Sequence, residues 1–202
     1  MRSGSGWQIW RPGGPAPAPM PALEGPSLDL GWLIATLDRH QVEYLLCGGA
    51  AATAYGASRP TEDADCVVSR ERTNLDRLAD ALRELNARLR VTGMTDEEAK
   101  LLPVQLDGTT LADLSITTWT TDAGPFDVLA GLEAADGHLM PYEELVPRAS
   151  ILQGEGFVIR AAGLDDIITA KERADRPKDR EALPELRAIR DDRSGDQGAD
   201  PH

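Results

Sequence analysis

Residues 44–68 of the chain, YLLCGGAAATAYGASRPTEDADCVV, carry the pattern that decides the fold. The apolar run Tyr44–Cys47 is followed by glycines, which predicts a short buried strand. Gly48 and Gly49 allow a sharp turn, and they let a ligand approach the backbone without meeting a Cβ. A short helix over 50–55 would follow, and the free N–H groups at its start suit a phosphate.

The second half of this stretch predicts another strand, over 63–68, with an acidic face. Asp63 and Asp65 lie two residues apart, so both point to one face with Cα atoms about 6.5–7 Å apart. Two adjacent carboxylates repel each other, and a hard cation is the simplest group to lie between them. Mg²⁺ prefers such oxygen ligands, and Mn²⁺ is the alternative. Glycines for phosphates and carboxylates for a metal together predict a nucleoside triphosphate site.

The Gly-Gly pair at 48–49 followed by Asp-Ala-Asp at 63–65 resembles the signature of the polymerase-β-like nucleotidyltransferase superfamily. The Arg-Pro-Thr lead-in at 59–61 resembles the small bacterial members, in particular the AbiEii and MenT-type toxin nucleotidyltransferases. The resemblance implies an α/β (α+β) fold, in which helices flank a mixed twisted β-sheet of nucleotidyltransferase type and a helical segment closes the chain. It also implies an enzyme that moves a nucleoside monophosphate from an NTP to an acceptor hydroxyl.

Two amphipathic helices are predicted around the first strands. Apolar residues at i, i+3, i+4 and i+7 indicate a helix over 27–40, for which Ser27 is the expected N-cap. A second helix is expected over 74–89. Thr73 and Asp76, three residues apart, read as its capping box.

The middle of the chain predicts two hairpins. The segment 111–120 is rich in residues that favour strands, and the turn after it leads to a partner strand over 125–129. Shorter strands over 150–153 and 156–160 flank a glycine turn. These would form a hairpin at the edge of the sheet.

Asp127 lies on the second strand of the first hairpin, between Phe126 and Val128. In the superfamily, a third acidic residue stands on a strand beside the Asp-x-Asp strand and holds one of two metals. By that resemblance Asp127 takes this place. Asp113 and Asp122 are the alternatives, but they lie before or within the turn that precedes this strand.

A lysine interrupts the apolar face of a helix near the end of the chain. The face begins at Leu164, and its i+7 position is Lys171, which must reach solvent or meet an anion. The segment 171–179 resembles the lysine helix and Arg-Pro-Lys-Asp segment of AbiEii and MenT-type proteins. That resemblance implies functional roles for Lys171 and Asp179, and more weakly for Arg176.

The candidate site therefore has three groups of residues. The resemblance implies that the catalytic residues are Asp63, Asp65, Asp127, Lys171 and Asp179, with the first three as metal ligands. The nucleotide-binding residues would be Gly48, Gly49, Ser58, Arg59, Thr61 and Arg176. Many superfamily members have Gly-Ser where this chain has Gly-Gly, so the hydroxyls of Ser58 and Thr61 are candidates to replace the missing serine.

Four segments are expected along the chain. Residues 1–27 are rich in Pro, Gly and Ala and predict a disordered arm. The nucleotidyltransferase core is expected over 28–162 and a C-terminal helical segment over 163–190, whose last helix ends near residue 189. A disordered polar tail is expected over 191–202.

Composition limits the cellular setting. The 202 residues, 41% of them hydrophobic, suit one domain with a real core. No apolar run approaches the ~20 residues of a membrane span. The N-terminus shows no secretory signal, so we expect a cytoplasmic protein without a membrane partner. Cys47 and Cys66 fall in predicted buried strands, and we expect both to be reduced.

Charge bears on the acceptor. The net charge is −13, which opposes nucleic-acid binding by the molecule as a whole. An RNA acceptor would need a local basic patch. The region 70–90 is locally basic, and this is either a solvated helix face or part of a polyanion-binding edge; its arginines are Arg70, Arg72, Arg77, Arg83, Arg88 and Arg90.

The resemblance favours the toxin of a bacterial toxin–antitoxin pair that adds nucleotides to the 3′ end of tRNA. Its partners would be an NTP, tRNA and a cognate antitoxin. One alternative is an antitoxin-type nucleotidyltransferase that binds or AMPylates a toxin protein. Another is an enzyme that modifies a small cationic molecule such as an aminoglycoside.

Overall fold

The computed structural model describes residues 26–91, 94–95, 98, 105–154 and 156–196. The predicted N-terminal arm lies almost wholly outside these ranges, as does the part of the predicted tail beyond residue 196. The helices are α1 (Leu30–Arg39), α2 (Gly48–Tyr55), α3 (Arg72–Glu84), α4 (Gly108–Ala112), α5 (Tyr142–Leu145), α6 (Leu164–Ala174) and α7 (Pro177–Asp196). The strands are β1 (Tyr44–Cys47), β2 (Ala64–Val68), β3 (Arg88–Leu89), β4 (Ile116–Thr121), β5 (Gly124–Leu129), β6 (Leu132–Glu133), β7 (Leu139–Met140), β8 (Ser150–Gln153) and β9 (Val158–Ala161).

The main sheet is mixed, with the strand order β3-β4-β5-β2-β1-β9-β8. The neighbours β1 and β2 are antiparallel, whereas β2 and β5 are parallel, and so are β1 and β9. The two predicted hairpins are present as β4–β5 and β8–β9. Strands β6 and β7 form a separate two-stranded sheet.

Helices cover the centre of the sheet. All four residues of β1 are buried, which requires cover on both faces because successive side chains alternate. Helices α1 and α3 contact each other, while α2 contacts α6, which in turn packs on α7. The predicted fold class, a mixed sheet flanked by helices with a helical C-terminal segment, is confirmed.

The glycines that bound α2 behave differently at its two ends. The helix begins at Gly48 itself, so the expected turn and helix start coincide. Gly48 has a φ of +62°, a conformation that residues with a Cβ rarely adopt. At the other end Gly56 is the predicted stop, and its φ of +113° ends the helix after Tyr55.

Both predicted helix caps were wrong. The N-cap of α1 is Asp29, whose carboxylate accepts a hydrogen bond from the backbone N–H of Trp32 at 2.9 Å. Helix α3 already includes Thr73, so the expected capping box does not form. The Asp76 carboxylate instead accepts from the Gly108 backbone N–H at 3.1 Å, which ties α3 to the start of α4.

Three boundaries also differ from the predictions. Helix α3 ends at Glu84, and the segment expected to continue it forms β3 instead. The expected strand over 111–120 is helical at its start, because α4 extends to Ala112 and β4 begins at Ile116. Helix α7 continues to Asp196, beyond its expected end near residue 189.

Candidate active site

The sheet brings two of the predicted carboxylates side by side. Asp65 on β2 and Asp127 on β5 are directly paired in the parallel register. Paired residues on neighbouring strands point to the same face, so both carboxylates face one cleft. Asp63 immediately precedes β2 and also lines this cleft. The structure therefore gathers the three acidic residues that the sequence analysis selected.

Gly48 and Gly49 form the part of the cleft floor that has no side chains. A Cβ on Gly48 would lie 1.9 Å from Asp65 Oδ2, and a Cβ on Gly49 would lie 2.5 Å from Thr61 Oγ1. Both positions are therefore closed to any residue larger than glycine. Since the first turn of a helix has free N–H groups, this floor places donors beside the carboxylates.

Thr61 fixes the orientation of the first carboxylate. Its hydroxyl donates to Asp63 Oδ1 at 2.8 Å. Thr53 on α2 holds the same loop at Arg59, because its hydroxyl donates to the Arg59 carbonyl oxygen at 3.1 Å. These contacts connect the loop after α2 to both the helix and the acidic strand.

Burial and like charge raise the affinity of the carboxylates for protons. Burial, followed by the charges of Asp63 and Asp127, raises the pKa of Asp65 to about 6, although Lys178 and Arg176 oppose the shift. Burial also raises the pKa of Asp127, against the effect of a hydrogen bond from Thr118. A cation beside Asp65 and Asp127 would stabilise the charged form of these carboxylates.

Helices α6 and α7 supply the opposing positive charge. Lys171 Nζ lies 3.2 Å from Asp179 Oδ1, and Arg176 Nε lies 2.6 Å from Asp179 Oδ2. Burial alone would raise the pKa of Asp179, but its hydrogen bonds from Arg176 and Lys171 outweigh burial and lower that pKa. One buried aspartate therefore holds two cations that face the cleft.

The loop after α2 is attached to α7. Arg59 Nη1 lies 2.9 Å from Glu181 Oε2, and the backbone N–H of Ser58 donates to Glu185 Oε1 at 2.8 Å. The Arg59–Glu181 pair is exposed on both sides, so it adds little to stability. Together with the Ser58–Glu185 hydrogen bond, it connects the loop after α2 to α7.

These elements enclose an open cleft of about 430 Å³. The predicted residues that line it are Gly48, Gly49, Arg59, Thr61, Asp63, Asp65, Asp127, Lys171 and Arg176. Glu62 and Glu185 line it as well and were not selected from the sequence; Lys178, the lysine of the Arg-Pro-Lys-Asp segment, also lines it.

Two predicted site residues do not line the cleft. Asp179 is fully buried, and both of its carboxylate oxygens are bound to Lys171 and Arg176. It can act on a substrate only through these two cations. Ser58 is exposed and meets α7 through its backbone, so its hydroxyl is not placed beside the glycine floor.

The carboxylates suit a divalent cation as a donor set. Within the described ranges, no three or more His, Cys, Asp and Glu side chains are arranged to hold a metal ion. Asp63 in particular is turned to the Thr61 hydroxyl. Asp63, Asp65 and Asp127 nevertheless offer only oxygen ligands, and their mutual repulsion would be relieved by a hard cation.

The sequence of the chain matches a known family over most of its length. Residues 33–191 match the family described as "Nucleotidyl transferase AbiEii toxin, Type IV TA system". The chain belongs to this AbiEii family. It is therefore a nucleotidyltransferase, as the motif at 48–65 predicted, and the family is one of toxins in toxin–antitoxin systems. No protein of curated function matches the chain in sequence.

Solved structures with a similar fold are also nucleotidyltransferases. The lincosamide antibiotic adenylyltransferase LnuA, bound to lincomycin, is similar with a TM-score of 0.54 and 14% identity over 81% of this chain and 99% of that one. A putative nucleotidyltransferase from Thermotoga maritima gives 0.48 and 14% over 77% and 88%. The enzyme ANT(2″)-Ia in complex with adenylyl-2″-tobramycin gives 0.46 and 18% over 78% and 90%. At 14% identity, the similarity to LnuA shows the fold alone.

Two further predictions concern the setting of the site. Cys47 and Cys66 are both buried and free, as expected of reduced core cysteines. Among the described residues, no helix has the length and apolar character needed to cross a bilayer.

Proposed function

We propose that this AbiEii-family enzyme is the toxin of a toxin–antitoxin pair and transfers a nucleoside monophosphate from an NTP to the 3′ end of tRNA. The observation that supports it best is the cleft itself. A glycine floor, three carboxylates and a group of cations face one another across about 430 Å³. A triphosphate needs backbone donors, a metal site and positive charge, and each of these has a candidate here.

The triphosphate would lie along the start of α2. Gly48 and Gly49 leave room for phosphate oxygens against the backbone, and the helix start attracts negative charge. Lys171, Arg176 and Lys178 would then neutralise the pyrophosphate as it leaves. Asp179 would be a positioning residue, because it holds Lys171 and Arg176 toward the cleft.

Asp63, Asp65 and Asp127 would hold Mg²⁺, or Mn²⁺ in its place. When bound, the metal ion neutralises phosphate charge and lowers the pKa of a coordinated hydroxyl. Asp127 would hold a second metal ion or, alternatively, take the proton of the acceptor hydroxyl. The acceptor oxygen then bonds to the α-phosphorus, the bond to the pyrophosphate oxygen breaks, and pyrophosphate leaves.

A cationic small molecule is the second candidate for the acceptor. Glu62 and Glu185 line the same cleft, and the chain carries a net charge of −13. Such a surface attracts cations and repels RNA at long range. The family's description as a toxin favours tRNA, whereas the acidic rim favours an aminoglycoside-like acceptor.

The test is incubation of the purified protein with total tRNA, Mg²⁺ and each labelled NTP in turn. Asp65→Asn should abolish labelling because it removes a carboxylate of the cleft. Asp166→Asn is the matched control, since Asp166 is buried and bound to Arg148 outside the cleft. Label on tRNA with the parent and control but not with Asp65→Asn would support the proposal.

Two other results would contradict the tRNA assignment. Label on an aminoglycoside but not on tRNA would favour the small-molecule alternative. Label on a co-expressed partner protein would favour protein AMPylation. Equal labelling of tRNA by the parent and by Asp65→Asn would show that the reaction does not take place in this cleft.

A further inference from the structure

A row of paired residues crosses the sheet through the active site. Asp65 on β2 pairs with Asp127 on β5, and Asp127 pairs with Thr118 on β4. The row continues to Arg90, directly after β3, whose backbone N–H donates to the Thr118 carbonyl oxygen at 2.7 Å. Residues paired in this way point to the same face of a sheet. Arg90 therefore lies on the face that carries the carboxylates.

The spacing puts Arg90 within reach of the reaction. Neighbouring strands lie about 4.8 Å apart, so the Cα atoms of Arg90 and Asp127 are separated by about 10 Å across β4. An extended arginine side chain covers much of this distance. In agreement, the charge of Arg90 acts on Asp127 and lowers its pKa, against the larger effect of burial, which raises it.

Arg90 lies on the opposite side of Asp127 from the triphosphate site. Gly48 follows β1, and Lys171 and Lys178 extend from α6 and α7 to that part of the cleft. In an in-line displacement the acceptor approaches from the side opposite the leaving pyrophosphate. With the triphosphate on the glycine side of Asp127, the acceptor would approach from the side nearer β4 and β3, and Arg90 is a cation that the row places there.

We propose that Arg90 is an acceptor-binding residue that holds a phosphate of a nucleic-acid acceptor next to the attacking hydroxyl. This inference rests on the proposed transfer to tRNA and adds the class of acceptor that the site selects. A guanidinium binds a phosphate by charge and by paired hydrogen bonds. The same group repels a cationic acceptor such as an aminoglycoside.

Arg88 extends the site along the strand. Arg88 pairs with Thr120, and Arg90 lies opposite Thr118 in the same register. The two arginines are therefore on one face of the sheet, with their Cα atoms about 7 Å apart. Arg88 Nε is buried and makes no hydrogen bond within the described part of the chain. A second cation in line with the first suits an acceptor with successive phosphates, so Arg88 and Arg90 alone of the basic region are assigned to the acceptor.

The test measures acceptor and nucleotide binding separately in Arg90→Ala, Arg90→Lys and Arg77→Ala. Arg77 is the matched control, since it removes the same charge from an exposed position on α3 where Nη1 donates to the Gln41 carbonyl oxygen. The probe is total tRNA, bound over a range of salt concentrations. NTP binding is followed by calorimetry without tRNA, and thermal unfolding reports whether each variant is folded.

Arg90→Ala should weaken tRNA binding and raise the KM for tRNA about 10- to 100-fold, as expected for a lost charge-assisted hydrogen bond. The slope of log K against log salt should fall by about 0.7–0.9, the value of one phosphate contact. Arg90→Lys should restore part of the affinity, and Arg77→Ala should match the parent. The affinity for NTP should stay within about twofold in all three, because the triphosphate lies on the other side of Asp127.

Equal loss of tRNA affinity in Arg90→Ala and Arg77→Ala would overturn the inference, as would a loss confined to NTP. Unchanged tRNA kinetics in Arg90→Ala, with the parent still labelling tRNA, would overturn the role of Arg90 and leave the proposed function standing. A parent protein that binds NTP but neither binds nor labels tRNA would overturn both.

Discussion

At Gly48, one added carbon atom would block the proposed phosphate site. Gly48→Ala would place a Cβ 1.9 Å from Asp65 Oδ2 and would impose a φ of +62° on a residue with a side chain. We expect nucleotidyl transfer to fall at least 100-fold, because Asp65 must move from the cleft. The backbone strain alone should cost about 1–2 kcal/mol of unfolding free energy.

Gly56→Ala is the control for this substitution. Gly56 has a φ of +113°, but a Cβ there would have no heavy atom within 4 Å. It should lose stability by a comparable amount and keep its transfer rate. Transfer assays and urea unfolding of the two variants separate strain from steric blockage. A Gly48→Ala protein that transfers like Gly56→Ala would contradict the assigned glycine floor.

Asp179 should matter for both stability and activity. Asp179 is fully buried, and Asp179→Asn removes the ionic partner of Lys171 and Arg176. The free energy of unfolding should therefore fall by about 2–4 kcal/mol. The transfer rate should fall as well, because both cations lose their orientation. Since the pKa of Asp179 is lowered in the folded protein, its contribution is present above about pH 4 and lost in more acidic solution.

Asp166→Asn provides the comparison. Asp166 is also buried and is bound by Arg148 at 2.9 Å, but it lies outside the cleft. It should lose a similar amount of stability and retain transfer at temperatures where it is folded. If Asp179→Asn retained transfer to the same extent, Asp179 would have only a structural role.

The crowded carboxylates predict an unusual response to pH. The pKa of Asp65 is about 6 in the folded protein and about 3.9 in an unfolded chain. Between these values the folded state holds the extra proton, so the free energy of unfolding decreases as the pH rises from about 4 to 6. Asp65→Asn removes this cost and should be more stable than the parent at pH 7.5, by up to about 3 kcal/mol.

The measurement is urea unfolding of both proteins at pH 4 and 7.5 with a metal chelator present. The advantage of Asp65→Asn should be largest at pH 7.5 and close to zero at pH 4. A variant less stable than the parent at pH 7.5 would show that Asp65 is held by favourable contacts. The same variant should be inactive, so function and stability oppose each other at this residue.

At the scale of whole elements, the last turns of α7 anchor the helix to the core. The Arg193 guanidinium lies 5.2 Å from the centre of the Tyr55 ring, and Arg190 lies 3.8 Å from Asp165. Truncation after residue 189 should therefore lower the unfolding free energy by about 1–2 kcal/mol. Transfer should persist, because the α7 residues that line the cleft precede the truncation.

Arg193→Ala is the narrower variant and should account for about 0.5–1 kcal/mol of that loss. Thermal unfolding of the two proteins, with transfer assayed at 25 °C, distinguishes the contributions. Loss of transfer in the folded truncated protein would mean that these last turns also shape the cleft.

Periodicity predicted most elements, whereas their ends depended on contacts that no local pattern shows. The strand before the glycines and the helix after them follow from apolar residues and from Gly56. The cap of α3 was wrong because the Asp76 carboxylate is used by Gly108, a residue of another helix. The start of α4 was missed because Asp107, which caps it by accepting from the Thr110 N–H, stood just outside the segment taken for a strand.

At the scale of the whole molecule, the residues of the candidate site that are close in sequence could be selected from the sequence alone. The span from Gly48 to Asp65 needed no knowledge of the fold. Asp127 was selected through resemblance to a family, and β2 pairs with β5 so that Asp127 lies beside Asp65. Lys171 was selected first because it interrupts an apolar helix face, and then through the same resemblance. The burial of Asp179 and the position of Lys178 depend on how α6 and α7 pack, which no spacing in the sequence reports.

The packing of α6 and α7 has a consequence for how the protein is made. The cleft takes its floor from the strand–helix unit at 44–55 and its cations from residues 171–178, near the other end of the chain. A ribosome must therefore release both helices before the two halves of the site can meet. The cleft therefore forms only after residues 171–178 have left the ribosome, and the proposed transfer cannot begin before that point.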